Sequence, residues 1–173
     1  MKFESIRTKF SGIPFLLACI TFIVSPILQA DSEFVEDDEY LVNYALSMIH
    51  ASAAYERGIT GKGVTVGVLD TGVNITHYEL QNADINGYDF GLDTDDLTFA
   101  DYHGTAVSSI IAGQRNGYAM QGVAYDAALE VAAGTGGDIF DATPIVNSLD
   151  YLIGREVPII NNNPVVVSPQ WGI

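Results

Sequence analysis

The sequence predicts an α/β domain in which a largely parallel sheet is flanked by helices. Two short apolar runs, residues 64–69 and 129–133, are typical of strands that are buried on both faces of a sheet. Segments with apolar residues at helical intervals lie between and after these runs. Because strands and helices alternate, the strands are expected to be parallel and joined by helical crossovers. A chain of 173 residues, 48% of them hydrophobic, can hold one globular domain or part of one.

The first elements follow an acidic connector at residues 31–43. Residues 41–57 carry apolar side chains at helical spacing and predict one or two short helices that end at Gly58. Residues 82–102 are rich in Asp and Gly and show no sustained period. They predict a surface loop with a short strand at residues 88–90.

The second half of the chain continues the alternation of helix and strand. Val107, Ile110 and Ile111 fall on one face of a helix predicted at residues 104–112, and Gly113 suits its end. The remaining predicted elements are an amphipathic helix at residues 145–155 and a strand that begins at residues 159–160 or 165–167.

Residues 1–30 differ in composition from the rest of the chain. Three basic residues precede an apolar run at residues 13–28, which is the pattern of a secretory signal peptide. Cleavage after Ala30 would release a protein that is secreted or displayed at the cell surface. The alternative is an uncleaved membrane anchor.

Composition excludes several classes of function. The net charge of −15 disfavours nucleic acid as a partner, because phosphates need Lys and Arg contacts. Cys19 is the only cysteine and lies in the leader, so the mature chain would have no disulfide and no thiol catalysis. Gly58, Gly61 and Gly63 precede the first strand instead of following it, which makes a nucleotide-binding domain a distant alternative.

The block Val-Gly-Val-Leu-Asp-Thr-Gly at residues 66–72 places Asp70 at the carboxyl end of a strand. Ligands of open parallel sheets bind at such ends, so this position favours a functional carboxylate. A hydrogen-bonded structural Asp is the alternative. Aspartic proteases also contain Asp-Thr-Gly, but their folds are rich in β structure and a second such block is missing here.

The block at residues 103–113, His-Gly-Thr-Ala-Val-Ser-Ser-Ile-Ile-Ala-Gly, places His103 at the start of a helix. An imidazole can accept a proton from a hydroxyl group near neutral pH, and a carboxylate on its other nitrogen fixes its tautomer. Asp70 and His103 are therefore the candidate catalytic residues.

Together the two blocks resemble the Asp and His regions of the subtilisin-like serine proteases. The segment His77-Tyr-Glu-Leu also resembles the His-Pro-Asp-Leu segment of that family. The block that begins at His103 departs from the family at Ala106, where the family has a second histidine. The resemblance implies that Asp70 orients His103, the general acid and base, whereas we interpret His77 as structural. It is strongest for the bacterial members of autotransporter type.

No Gly-Thr-Ser-Met-type nucleophile block is present in this sequence. Ser108 and Ser109 lie within the predicted His helix, and Ser168 precedes a proline, so none is a candidate nucleophile. We therefore interpret residues 44–173 as the amino-terminal part of a subtilisin-like peptidase domain, incomplete and inactive by itself. The expected substrates are proteins or peptides, and the membrane is a partner only through the leader or a missing carboxy-terminal translocation domain. The alternative is a non-catalytic secreted binding domain derived from a protease.

The chemistry expected of this family requires no cofactor. Residues 114–121 resemble in length the calcium loop of several family members, and Asn116 with Glu79 could supply oxygen ligands to a structural calcium ion. An ordinary polar turn is the alternative.

Overall fold

The computed structural model describes residues 34–98, 102–134 and 142–162. The predicted leader and the alternative last strand at residues 165–167 lie outside these ranges. No helix in the described part of the chain has both the length and the apolar character needed to cross a membrane.

Four parallel strands form one sheet in the order β2-β3-β1-β4. The strands are β1 (Thr65–Asp70), β2 (Ile85–Asp89), β3 (Ala128–Ala133) and β4 (Ile159–Asn162). β1 pairs with both β3 and β4, so it lies in the interior of the sheet, as its unbroken apolar run predicts. The predicted fold class, a parallel sheet flanked by helices, is confirmed.

Five helices accompany the sheet in the described ranges. They are α1 (Asp38–Val42), α2 (Tyr44–Met48), α3 (Ser52–Tyr55), α4 (His103–Ala112) and α5 (Thr143–Gly154). α4 and α5 both contact β1 and β3. The sheet is thus covered by these two helices.

The side chains of β1 alternate between two apolar cores, because successive residues of a strand point to opposite faces. Val66 and Val68 pack in the core that includes Ala112 of α4, whereas Leu69 packs with Leu152 of α5. Fully burying an aliphatic side chain of this kind contributes about 1.5 to 3 kcal/mol to stability. Asp70 follows the alternation and falls on the same face as Val66 and Val68, the face covered by α4.

The acidic connector predicted at residues 31–43 contains helix α1 instead. Asp37 caps this helix, since its Oδ1 accepts a hydrogen bond from the Tyr40 backbone N–H at 3.1 Å. Tyr40 is completely buried and packs with Leu46 and Tyr55, which anchors the helix to the domain. The acidic composition predicts a connector, and burial of the Tyr40 side chain makes residues 38–42 of that connector part of the packed domain.

Two further boundaries differ from the prediction. Strand β2 begins at Ile85, before the strand predicted at residues 88–90. Asn86 and Gly87 interrupt the apolar pattern, so the pattern does not indicate the first residues of this strand. A Cβ atom at Gly87 would lie 1.9 Å from the carbonyl oxygen of Val131, so the strand pairing itself requires glycine there. Helix α5 begins at Thr143, two residues before the first residue predicted for it.

Replacing Ser108 with alanine is expected to stabilise the protein. The Ser108 hydroxyl is completely buried within α4 and has no hydrogen-bond partner among the described residues. Removing an unsatisfied buried hydroxyl should raise the free energy of unfolding by about 1 kcal/mol, measured by chemical denaturation. Ser109→Ala is the matched control, because the Ser109 hydroxyl donates to the Thr105 carbonyl at 2.9 Å. If both variants gain the same free energy of unfolding, the effect comes from the higher helix propensity of alanine and not from the unsatisfied hydroxyl.

Candidate active site

Asp70 ends strand β1 and is completely buried. One of its carboxylate oxygens, Oδ1, accepts a hydrogen bond from the Thr71 backbone N–H at 2.6 Å. The chain then turns at Gly72, whose φ of +100° is a conformation that favours glycine. The Thr-Gly sequence after the strand therefore bends the backbone and supplies a donor to the carboxylate.

His103 is the first residue of α4 and lies directly against Asp70. Its Nδ1 atom is 2.8 Å from Oδ1 of Asp70 and 3.1 Å from Oδ2. The His103 side chain is 38% exposed, whereas that of Asp70 is inaccessible to solvent. The carboxylate thus contacts one edge of an imidazole ring that is itself partly open to solvent, which is the contact the sequence predicts.

The start of α4 packs against the turn after β1 through backbone groups. Gly104 donates its N–H to the Thr71 hydroxyl at 2.9 Å, and a Cβ atom at Gly104 would lie 2.1 Å from the Gly72 carbonyl oxygen. Next to this contact, the Thr105 hydroxyl accepts the Asn74 backbone N–H at 2.9 Å. Sequence reasoning expected a close approach at Gly104 but did not identify the two threonine hydroxyls, since their partners lie about thirty residues away along the chain.

This geometry suits proton transfer at the outer edge of the ring. When Nδ1–H donates to the Asp70 carboxylate, the neutral ring carries its lone pair on Nε2. Nε2 can then accept a proton from a hydroxyl group, and the buried carboxylate stabilises the imidazolium that results. Such an arrangement would allow His103 to act as a general base whose ring is oriented by the Asp70 carboxylate.

The two serine side chains of α4 are buried within or against their own helix. Ser109 donates its hydroxyl to the carbonyl of Thr105, one turn earlier, and Ser108 is buried in the interior. Ser168 lies outside the described residues. Among the described contacts, neither Ser108 nor Ser109 has a base beside its hydroxyl group, as an activated nucleophile requires.

The expected calcium ligands, Glu79 and Asn116, both form hydrogen bonds with backbone groups, although Glu79 Oε2 has no partner among the described residues. Glu79 accepts the Met120 backbone N–H through Oε1 at 3.3 Å. Asn116 donates its side-chain amide to the carbonyl of Tyr78 at 3.0 Å and accepts the Tyr118 backbone N–H at 3.0 Å. No hydrogen bond joins the Glu79 and Asn116 side chains within the described ranges.

A second buried carboxylate, that of Glu39 in α1, binds the same loop. Its two oxygens accept the backbone N–H groups of Asn116 and Gly117 at 2.8 and 2.7 Å. A calcium ion needs six to eight oxygen ligands, whereas the loop directs N–H donors at both carboxylates. In the described part of the chain no group of three or more His, Cys, Asp or Glu side chains is placed to hold a metal ion. No step proposed below involves calcium.

Comparison with known proteins agrees with this geometry. The model of the subtilase family matches residues 61–172, which contain both Asp70 and His103. The chain belongs to the subtilase family. This subtilase is 36% identical over 140 residues to an extracellular serine protease of Serratia marcescens and 32% identical over 138 residues to subtilisin E of Bacillus subtilis.

Similarity extends to solved structures. A serine protease of Aeromonas sobria, crystallised in complex with a chaperone, superposes with a TM-score of 0.53 and 28% identity over 63% of this chain. The matches to the Serratia protein and to subtilisin E cover 78% and 74% of the subtilase described here. They cover only 12% and 35% of those two proteins, and the Aeromonas match covers 19% of its chain.

Replacing Gly104 with alanine is expected to disrupt the contact between Asp70 and His103. The added methyl group would overlap the Gly72 carbonyl and lie 3.1 Å from the Asp70 carboxylate, so α4 must move away from the turn. Overpacking of this kind lowers the free energy of unfolding by about 1 to 3 kcal/mol. NMR of the imidazole protons should also show loss of the Nδ1–H resonance of His103. Gly154→Ala is the control, because a Cβ atom there would meet nothing within 4 Å, and equal effects in both variants would contradict the steric argument.

Proposed function

We propose that this subtilase is part of a secreted serine endopeptidase and carries two of the three residues of its catalytic triad. The observation that carries the proposal is the 2.8 Å contact between His103 Nδ1 and the buried Asp70 carboxylate. His103 acts as the general acid and base, and Asp70 orients its ring. Membership of a family whose relatives are named serine proteases supports the same reaction class.

The proposed reaction is acyl transfer through a serine outside the printed sequence. The serine hydroxyl gives its proton to Nε2 of His103 while its oxygen attacks the peptide carbonyl carbon. The same proton then passes from Nε2 to the leaving amine, and the C–N bond breaks to give an acyl-enzyme. Water repeats the sequence and releases the acid. Asp70 stays ionised throughout and stabilises the imidazolium.

The nucleophile and the oxyanion donor are proposed to belong to another part of the full protein. The printed sequence spans 12% of the Serratia relative and 35% of subtilisin E, and it holds no Gly-Thr-Ser-Met-type block. Acyl transfer needs both of these groups, since the serine hydroxyl is the nucleophile that the base activates and the oxyanion donor stabilises the tetrahedral intermediate. We therefore propose that these residues alone are inactive.

We propose that the protein is exported, on the basis of its amino-terminal sequence and of the name of one relative. The basic start and apolar run of residues 1–30 have the pattern of a signal peptide. The Serratia relative is named an extracellular protease. We also propose that the protein is a subtilase of autotransporter type. The substrates of the full protein would be extracellular proteins or peptides.

The isolated 173-residue chain is expected to show no peptidase activity. Loss of a single oxyanion donor costs about 10² to 10³ in rate, and the covalent step is lost as well. Fluorogenic casein and a serine-reactive fluorophosphonate probe measure turnover and labelling, with subtilisin E as the positive control. Turnover that persists through repurification and is lost in His103→Ala, or labelling of any serine, would place the nucleophile inside this sequence.

In a longer form of the protein that is active, Asp70→Asn is expected to lower kcat by about 10⁴ with a much smaller change in KM, because the ring loses its orienting charge. Asp89→Asn is the matched control. Asp89 is also a buried strand-end aspartate, but among the described residues its carboxylate accepts hydrogen bonds from the backbone N–H groups of Gly91 and Leu92 and from no imidazole. Steady-state kinetics should show little change in kcat for that variant. If kcat falls equally in both variants, the role of Asp70 is structural and not catalytic.

Expression with the leader in a Gram-negative host is expected to yield a product that begins at Asp31 and lies outside the cytoplasm. Removal of residues 1–30 follows from the basic start and the apolar run. Intact-mass spectrometry of each cell fraction tests this, and a leader with two charged residues placed in its apolar run is the control. An intact Met1 in a soluble cytoplasmic product would contradict export.

A further inference from the structure

Helix α4 begins without a side-chain cap at its own N-cap position. The first backbone N–H groups of an α-helix have no partner within the helix, and a Ser, Thr, Asp or Asn at the N-cap position usually supplies one. Tyr102 occupies this position in α4 and its side chain forms no capping hydrogen bond. The first turn of the helix that carries His103 therefore needs partners from outside the helix.

Thr71, which follows Asp70 at the end of β1, supplies one of these partners. Its hydroxyl accepts the backbone N–H of Gly104, the second residue of α4, at 2.9 Å. An N-cap side chain normally makes this bond, because its oxygen accepts from the second or third residue of the helix. Thr71 lies 33 residues earlier in the chain and is only 1% exposed, so water does not compete for the bond. The hydroxyl is thus a helix cap that comes from the end of a strand.

The backbone of the same residue bonds the carboxylate. The Thr71 N–H donates to Oδ1 of Asp70 at 2.6 Å, and this oxygen also lies 2.8 Å from Nδ1 of His103. His103 directly precedes Gly104, whose N–H the Thr71 hydroxyl holds. One residue therefore fixes both sides of the contact, the carboxylate that accepts and the backbone that carries the imidazole ring.

We propose that Thr71 is a positioning residue for the pair of Asp70 and His103, with its hydroxyl as the part that sets the place of the helix. Thr71 acts through these two residues and not on the reacting atoms. A misplacement of about 1 Å in a catalytic group can cost about 10² in rate, so a cap that fixes the start of α4 matters to the reaction. The proposal rests on the role proposed above for the pair and extends it to a residue outside the triad.

A second threonine joins the same two elements in the opposite direction. The Thr105 hydroxyl, on α4, accepts the backbone N–H of Asn74, in the loop after β1, at 2.9 Å. Thr105 is also buried, but its hydroxyl caps no helix N–H and its printed contacts do not include Asp70. If any bond between loop and helix were sufficient, loss of either hydroxyl would have the same effect on His103. Thr105→Val is therefore the matched control for Thr71→Val.

NMR of the 173-residue chain tests the proposal. The unmodified chain is expected to show the Nδ1–H resonance of His103 and a Gly104 amide that is protected from hydrogen exchange. Thr71→Val keeps the branched shape but removes the acceptor, so the Nδ1–H resonance should be lost and exchange of the Gly104 amide should accelerate by about tenfold. Thr71→Ser, which keeps the hydroxyl, should retain both signals. Thr105→Val should retain the Nδ1–H resonance.

Kinetics of a longer, active form of the protein give a second readout. Thr71→Val should lower kcat by about tenfold with a smaller change in KM, because the bond holds the catalytic pair and not the substrate. Thr71→Ser should restore most of the loss. Thr105→Val should leave kcat within about twofold of the unmodified enzyme.

Three results would overturn the proposal. They are an unchanged Nδ1–H resonance in folded Thr71→Val, an equal loss of that resonance in Thr105→Val, and its loss in Thr71→Ser. If Thr71→Val does not fold, Thr71→Ala takes its place, and a Gly104 amide that exchanges without protection in the unmodified chain overturns the cap by itself. Absence of the Nδ1–H resonance from the unmodified chain would contradict the contact of Asp70 with His103, whereas a resonance that is present but indifferent to Thr71 would contradict only this proposal.

Discussion

The close approach of Gly104 to the turn after β1 determines where the first turn of α4 lies. With no Cβ at residue 104, the helix can rest on the Gly72 carbonyl while its N–H bonds the Thr71 hydroxyl. The ring of His103 then reaches the Asp70 carboxylate at hydrogen-bonding distance. A larger residue at 104 would separate strand and helix, and the carboxylate would lose the partner that makes its burial tolerable.

Strand β1 supplies the rigid half of this contact. It is paired on both sides by parallel strands and packed on both faces, with Val68 on one face and Leu69 on the other. The alternation of side chains along the strand is sufficient to place Asp70 on the face covered by α4. A functional carboxylate at the end of such a strand is held by the core of the domain, so its position does not depend on a flexible loop.

The parts that could be predicted from the sequence are those with local causes. The apolar run of β1 and the helical spacing of Val107 and Ile111 are local patterns, and both elements were predicted to within two residues. The contacts that fasten helix α1 to the loop after α4 leave no local signal, because they join residues far apart along the chain. The partners of Glu39 are backbone groups of Asn116 and Gly117, more than seventy residues away, and no spacing rule relates them.

Arg115 joins the beginning of the described chain to the loop after α4. Its guanidinium group bonds the Val35 carbonyl and the Asp37 carboxylate and lies 4.3 Å from the centre of the Phe34 ring. A leader peptidase that cut after Ala30 would act only a few residues before this attachment. Because proteases take their substrates as extended, accessible chain, the cut would be made before residues 34–37 dock. Docking of residues 34–37 onto Arg115 would then come after removal of the proposed leader.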